Sequence, residues 1–99
     1  MRCYTWNEEK NEKLKRERGV SFEEAVFCIE NGRLLDIIEH PDQSRYPGQK
    51  LYVVDIGGYA HYVPVVETGQ AAFLKTIIPS RKATKAYIGK KEGADEEKN

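Results

Sequence analysis

Two consecutive glycines, Gly57 and Gly58, separate the runs Leu51-Tyr-Val-Val-Asp-Ile56 and Tyr59-Ala-His-Tyr-Val-Pro-Val-Val66. A two-residue loop between β-branched and aromatic runs is a hairpin signal, because the tight turn that matches strand twist needs positive φ at its centre. Closing the hairpin there sets the register: Val54 opposite His61, Tyr52 opposite Val63. Pro64 stands against an uninterrupted second strand, since it has no N–H to give a ladder. It predicts a bulge, an edge position or an early stop.

The rest of the chain arranges itself around this pair. Leu34-Leu-Asp-Ile-Ile-Glu39 reads as a preceding strand, and Ala71–Ile78 as a following one after Thr68-Gly69-Gln70. Meander spacing predicts an α+β fold: a four-stranded antiparallel sheet with two N-terminal helices on one face. The first helix runs from about Glu8 to Arg18. Asn7 caps it, Glu8 and Glu9 sit favourably in its first turn, and Gly19 stops it. Leu14 is its one large apolar residue, which predicts an outer, mostly solvated helix. Ser21-Phe-Glu-Glu24 is a capping-box pattern, and Phe22, Ala25, Val26 and Ile29 draw one apolar face up to Asn31-Gly32. Tyr4-Thr5-Trp6 is a short strand or an anchor. Pro79 ends the last strand, and Ser80 caps a short helix from Arg81 to about Ile88. The loop from His40 to Gln49, with two prolines, predicts a mobile rim over the sheet. In the last strand, alternation puts Phe73, Lys75 and Ile77 on one face.

Length and charge narrow the function. Ninety-nine residues make one domain, expected over residues 1–91, with an acidic, disordered tail over 92–99. The formal charge is zero, yet residues 68–91 hold six bases and no acid: Lys75, Arg81, Lys82, Lys85, Lys90 and Lys91. Segregated positive charge in a neutral chain is the mark of a polyanion-binding surface. No apolar run approaches a membrane span, and Met-Arg-Cys-Tyr-Thr-Trp-Asn lacks a signal peptide's apolar stretch, so the expected location is cytoplasmic. Cys3 and Cys28 fit no metal or redox spacing, and Cys28 reads as a small buried hydrophobe.

Chemistry must then come from Arg, Lys and Tyr. His40 and His61 lack zinc-ligand spacing, and no serine elbow, phosphate loop or dinucleotide fingerprint occurs. No metal or cofactor is expected. These residues suffice for cleavage of RNA by its own 2′-hydroxyl, where the protein has only to align the substrate and stabilise phosphate charge. The alternative is that Arg81, Lys82 and Lys85 bind nucleic acid or an acidic protein without cutting.

Three segments carry a resemblance: Trp6-Asn-Glu-Glu-Lys-Asn11, Arg18-Gly-Val-Ser-Phe-Glu-Glu-Ala25 and Ile77-Ile-Pro-Ser-Arg-Lys-Ala83. In this order they resemble the BrnT family of toxins from bacterial type II toxin–antitoxin systems. The resemblance implies a RelE-like ribonuclease fold, inhibition of translation by cutting mRNA, and neutralisation by a small antitoxin whose complex represses its own operon. It implies RNA, free or ribosome-bound, as substrate, operator DNA only through the antitoxin, and no membrane. Arg81 and Lys82 match the family's strand-to-helix junction, and Lys10 and Asn11 its first-helix motif. On this reading Arg81, Lys85 and Tyr87 are catalytic, and Lys75, Lys82, Arg18, Lys15, Lys50 and Arg45 hold RNA. Arg18 stands where the family usually has His, which marks a diverged member.

Overall fold

The structure, a computed structural model, describes residues 2–89; the expected acidic tail lies outside them. In chain order come β1 (Cys3–Thr5), α1 (Glu8–Arg18), α2 (Phe22–Glu30), β2 (Leu34–Glu39), β3 (Gln49–Ile56), β4 (Tyr59–Thr68), β5 (Ala71–Leu74), β6 (Ile78–Pro79) and α3 (Arg81–Tyr87). The fold is α+β.

The hairpin takes its expected register, with Val54 opposite His61 and Tyr52 opposite Val63. Gly57 and Gly58 turn it with φ of 65° and 87°, both in the left-handed region. Asp55 secures the turn: its Oδ1 accepts from Gly58 N–H at 2.8 Å.

The sheet is mixed rather than four-stranded and antiparallel. Strands β2 to β5 pair antiparallel in sequence order, but β1 adds to the outer side of β5 in parallel and β6 pairs with β4. The expected strand Ala71–Ile78 is two strands with a break at 75–77. Pro64 explains the break. Its C=O accepts from Lys75 N–H at 2.9 Å, so its ring nitrogen points to the same side, into the gap between β5 and β6. Strand β4 therefore runs through Pro64 without bulging: the missing donor falls where no ladder bond is needed. The break also reverses faces. Phe73 stays outward at 39% exposure, while Ile77 turns into the opposite core at 0%, so the expected common face of Phe73, Lys75 and Ile77 does not form.

Helices α1 and α2 cover one face. Leu14, Phe22, Ala25 and Cys28 meet Tyr52, Val54, Ile56, Val63, Val65, Leu74 and Ile77 there. Cys28 is buried among them, and Trp6 stacks on Phe22 at 5.7 Å. The corner between the helices is held by Asn11, which is fully buried. Its Oδ1 accepts from Phe22 N–H at 2.8 Å and its Nδ2 donates to Glu23 Oε1 at 2.8 Å. Phe22 N–H is one of the donors that a helix start leaves unpaired, so a side chain of α1 completes the cap of α2. Ser21 supplies the other bond of the cap, accepting from Glu24 N–H at 3.1 Å. The reciprocal Glu24 bond of a full capping box is not among the hydrogen bonds of the described residues.

Helix α3 lies on the opposite face. Ala83 packs there on Val53 and Ala60, and three small or β-branched side chains allow a close approach. Ser80 N–H donates to Ala60 O at 3.0 Å, and Ala60 N–H donates to Thr84 Oγ1 at 2.8 Å. The helix covers only part of its face. Val66 and Phe73, direct cross-strand partners, remain 38% and 39% exposed beside it. Among the described residues no helix is long and apolar enough to cross a membrane.

Candidate nucleic-acid interface

Ser80 starts α3 as expected, its Oγ accepting from Ala83 N–H at 3.0 Å. With Ala83 turned to the sheet, the 100° step per residue points Arg81 and Lys85 outward, about 40° apart around the helix axis. Both are exposed, as is Lys82, and the side chain of none of the three has a hydrogen bond or ion pair to another described residue. The structure thus brings Arg81 and Lys85 together on one outward surface.

Tyr87 is not part of that surface. It lies about 200° around the helix from Lys85, and its hydroxyl donates to Asp36 Oδ2 of β2 at 2.6 Å. That bond raises the phenol's pKa above its ordinary value, mainly because the carboxylate favours the protonated hydroxyl. Tyr87 ties α3 to β2.

The remaining sequence candidates divide between the two sides of the sheet. Lys75, exposed at the β5–β6 break, follows Phe73 on the α3 side. Arg45 belongs to the loop after β2, its Nε 4.0 Å from Asp42 Oδ2. Lys15, Arg18 and Lys50 lie on the other side. Lys15 pairs with Glu12 at 3.3 Å, and Lys50 with Glu67 at 3.5 Å. Arg18 donates to Ile77 O at 2.6 Å, so the residue standing in the resemblance's histidine position braces the chain break. A cavity of about 270 Å³ opens beside it, lined by Lys15, Gly19, Val20, Ser21 and Glu24. Lys50 belongs to a separate cluster in which Glu67 also takes Arg2 at 3.2 Å and the hydroxyl of Tyr52. Burial, then the bond to Glu67, pushes the Tyr52 phenol well up; the same bond holds the Glu67 carboxyl below its usual range.

A second cavity, of about 240 Å³, opens on the α3 side between the loop and the strand break. His40 and Tyr46 line it from the loop, Gln49 from β3 and Pro64 from β4, with Lys75, Thr76 and Ile78 from the break. The loop is internally bonded rather than slack. Gln43 Nε2 donates to His40 O at 2.9 Å, and Gln43 Oε1 accepts from Gly48 N–H at 3.0 Å. Tyr46 N–H donates to Asp42 O at 2.9 Å, and the Tyr46 ring lies 4.4 Å from that of His40. His40 Nδ1 accepts from Asp42 N–H at 3.0 Å, which leaves the neutral ring's proton on Nε2. His61 has the opposite tautomer. Its Nδ1 lies 2.9 Å from Tyr59 O, a carbonyl that only accepts, and burial lowers its pKa.

Neither His40 nor Gln49 stood among the candidates read from the sequence. Gln49 had one available signal: it shares the alternating register of Leu51 and Val53, where a polar residue is out of pattern. Among the described residues no group of three or more His, Cys, Asp or Glu is placed to hold a metal. Comparison with family models, with curated proteins and with solved structures finds no match to this chain.

Proposed function

We propose that this chain is a toxin of a type II toxin–antitoxin system, a diverged BrnT-type endoribonuclease that cuts mRNA with the substrate's own 2′-hydroxyl. The observation that carries the reading is the outward pair Arg81 and Lys85, whose side chains have no partner among the described residues, on the same side of the sheet as Lys75 and the cavity it lines. The ordered resemblance of three segments supports it. So does the α+β architecture, with two N-terminal helices packed on one face of the sheet.

In this mechanism the 2′-oxygen attacks phosphorus as the bond to the 5′-oxygen breaks. Arg81 lays its planar fork on the phosphate oxygens, and Lys85 stabilises the same charge and protonates the departing 5′-oxygen. The 2′-hydroxyl proton passes to water. The products are a 2′,3′-cyclic phosphate and a 5′-hydroxyl. Lys75 and Lys82 hold neighbouring phosphates; Tyr87, turned to Asp36, positions α3 instead of moving protons. The protein acts in the cytoplasm, on free or ribosome-bound mRNA, and a short acidic antitoxin covers the basic surface.

The test is incubation of the purified chain, with and without ribosomes, on a defined mRNA. Discrete products with cyclic phosphate ends support the reading. RNA that is shifted in a salt-dependent way but never cut favours the second reading, a non-catalytic basic module. One feature favours that second reading: Tyr87 is taken up by Asp36, which among the described residues of α3 leaves only the lysines Lys82 and Lys85 beside Arg81 to move a proton.

A further inference from the structure

Gln49 is 6% exposed, yet its side-chain amide makes no hydrogen bond to any described residue. No buried side-chain nitrogen or oxygen among the described residues lacks a partner, so the amide's polar atoms must still reach open space. Gln49 lines the 240 Å³ cavity, and that cavity is the open space available. An amide nine-tenths buried and unpartnered carries one donor group and one acceptor into a site whose other lining is the rings of His40 and Tyr46, the apolar Pro64 and Ile78, and Lys75 and Thr76 at the strand break.

The other walls say what kind of group would meet it. Tyr46 and His40 supply aromatic faces held by a bonded loop, and Pro64 and Ile78 supply apolar surface. At about 240 Å³ the cavity falls below the roughly 300–1,000 Å³ of sites for larger ligands, which suits one planar ring system. Lys75 stands at its edge as a cation. Ile78 precedes Arg81 by three residues, so at most about 11 Å of chain separates the cavity wall from the cationic face of α3.

We propose that this cavity is a nucleobase-binding pocket for single-stranded RNA, selective for adenine, with Gln49 reading the base edge and Tyr46 stacking on its ring. Glutamine matches adenine because its carbonyl accepts from N6–H while its amide donates to N7. Guanine presents two acceptors on the same edge and leaves the glutamine carbonyl unpaired. Pyrimidines offer a smaller ring to stack. Splayed bases stacked on aromatic side chains are the usual mode of single-strand recognition, and Lys75 then meets the attached phosphate. The substrate class rests on the RNA reading above, but the pocket can be tested without cleavage.

The experiment is titration of the isotope-labelled protein with AMP, GMP, CMP, UMP and ribose 5-phosphate at constant ionic strength, followed by amide NMR. AMP should shift the Gln49 side-chain amide and the Tyr46 backbone amide, with the lowest midpoint of the series. Gln49→Leu should weaken AMP about tenfold and abolish its preference over GMP. Tyr46→Ala, in a half-exposed loop, should weaken all four nucleotides by roughly tenfold. If Gln49→Leu loses its dispersed spectrum, Tyr46→Ala and the wild-type nucleotide ranking decide the matter. Equal shifts from every ligand including ribose 5-phosphate would overturn the proposal, since phosphate on Lys75 would then explain them all. So would the absence of any shift at Gln49, or saturation by an acidic peptide and by no nucleotide. Cleavage without adenine binding removes the pocket alone; adenine binding without cleavage removes the nuclease reading and keeps the pocket.

Discussion

Arg18 and Ile77 are 59 residues apart in sequence, and the guanidinium of one donates to the carbonyl of the other at 2.6 Å. The bond fastens the end of α1 to the chain break from which Lys75 and the cavity wall are presented. A hydrogen bond from a charged donor contributes about 1.5–3 kcal/mol. Since Arg18 is partly solvated, Arg18→Ala should cost nearer the lower end, about 1–2 kcal/mol in urea unfolding. Arg18→Lys should recover little, because a point ammonium does not replace the fork. If RNA affinity falls while stability stays unchanged, Arg18 contacts phosphate and the brace is unimportant.

Asn11 gives a sharper stability test. Asn11→Ala leaves the Phe22 N–H buried without an acceptor, for a cost of about 1–3 kcal/mol plus the emptied volume. Asn11→Asp keeps the acceptor but sets a second carboxylate against Glu23, whose own pKa the Asn11 amide now holds low. Repulsion raises the folded pKa of that pair, so the variant's deficit should be largest at pH 7 and shrink toward pH 4. Urea midpoints at the two pH values measure this; a pH-independent deficit would show that the carboxylates do not meet.

Acid should loosen the end of the sheet where β3 and β4 carry Lys50 and Glu67. The folded pKa of Glu67 is lowered, first by the bond from Tyr52 and then by Lys50 and Arg2. Its contribution to stability is therefore present above the ordinary carboxylate pKa and is lost as pH falls through the lower, folded value. Tyr52 has the reverse sign. Its raised pKa gives stability that is present below the ordinary phenol pKa and is lost as pH rises toward the folded value. Melting temperatures from pH 7 to 3 should fall less steeply for Glu67→Gln than for the unaltered chain. Parallel curves would mean that the cluster does not couple to folding.

On the cationic face, Arg81→Ala should abolish RNA cleavage and growth inhibition while the melting temperature barely moves, because Arg81 is exposed and has no partner among the described residues. Lys85→Ala should do the same with a smaller loss of RNA affinity, since the proposed mechanism gives it a part in the reaction as well as in holding phosphate.

Tyr87→Phe separates a positioning role from a proton-transfer role. With the hydroxyl committed to Asp36, the variant should keep most of its cleavage rate, and Asp36→Asn should behave alike. A loss of about a hundredfold or more in Tyr87→Phe, with Asp36→Asn unaffected, would place the phenol in the proton transfer after all.

What the chain reveals by itself is local, and the physics of those features is local too. Asn7, Ser21 and Ser80 each accept from a backbone N–H three residues on, and Gly57-Gly58 alone sets the β3–β4 register. Such features rest on sterics and hydrogen bonds within a few residues, so the residue types announce them. Arg81 and Lys85 were legible for the same reason, as an i, i+4 pair on a capped helix. The three residues of β1 hold no information about pairing in parallel with β5 almost seventy positions later. Nor does Pro64 announce that its missing donor will face a gap in the neighbouring strand. The choice of face for α3 follows from Ala83 meeting Val53 and Ala60, contacts that exist only once the sheet has formed. Tertiary structure alone sent Tyr87 to Asp36, moved Lys15, Arg18 and Lys50 to the far side, and buried Gln49 with its amide still unpaired. Those outcomes depend on which surfaces the whole chain can bury at once, and no short window of sequence contains that sum.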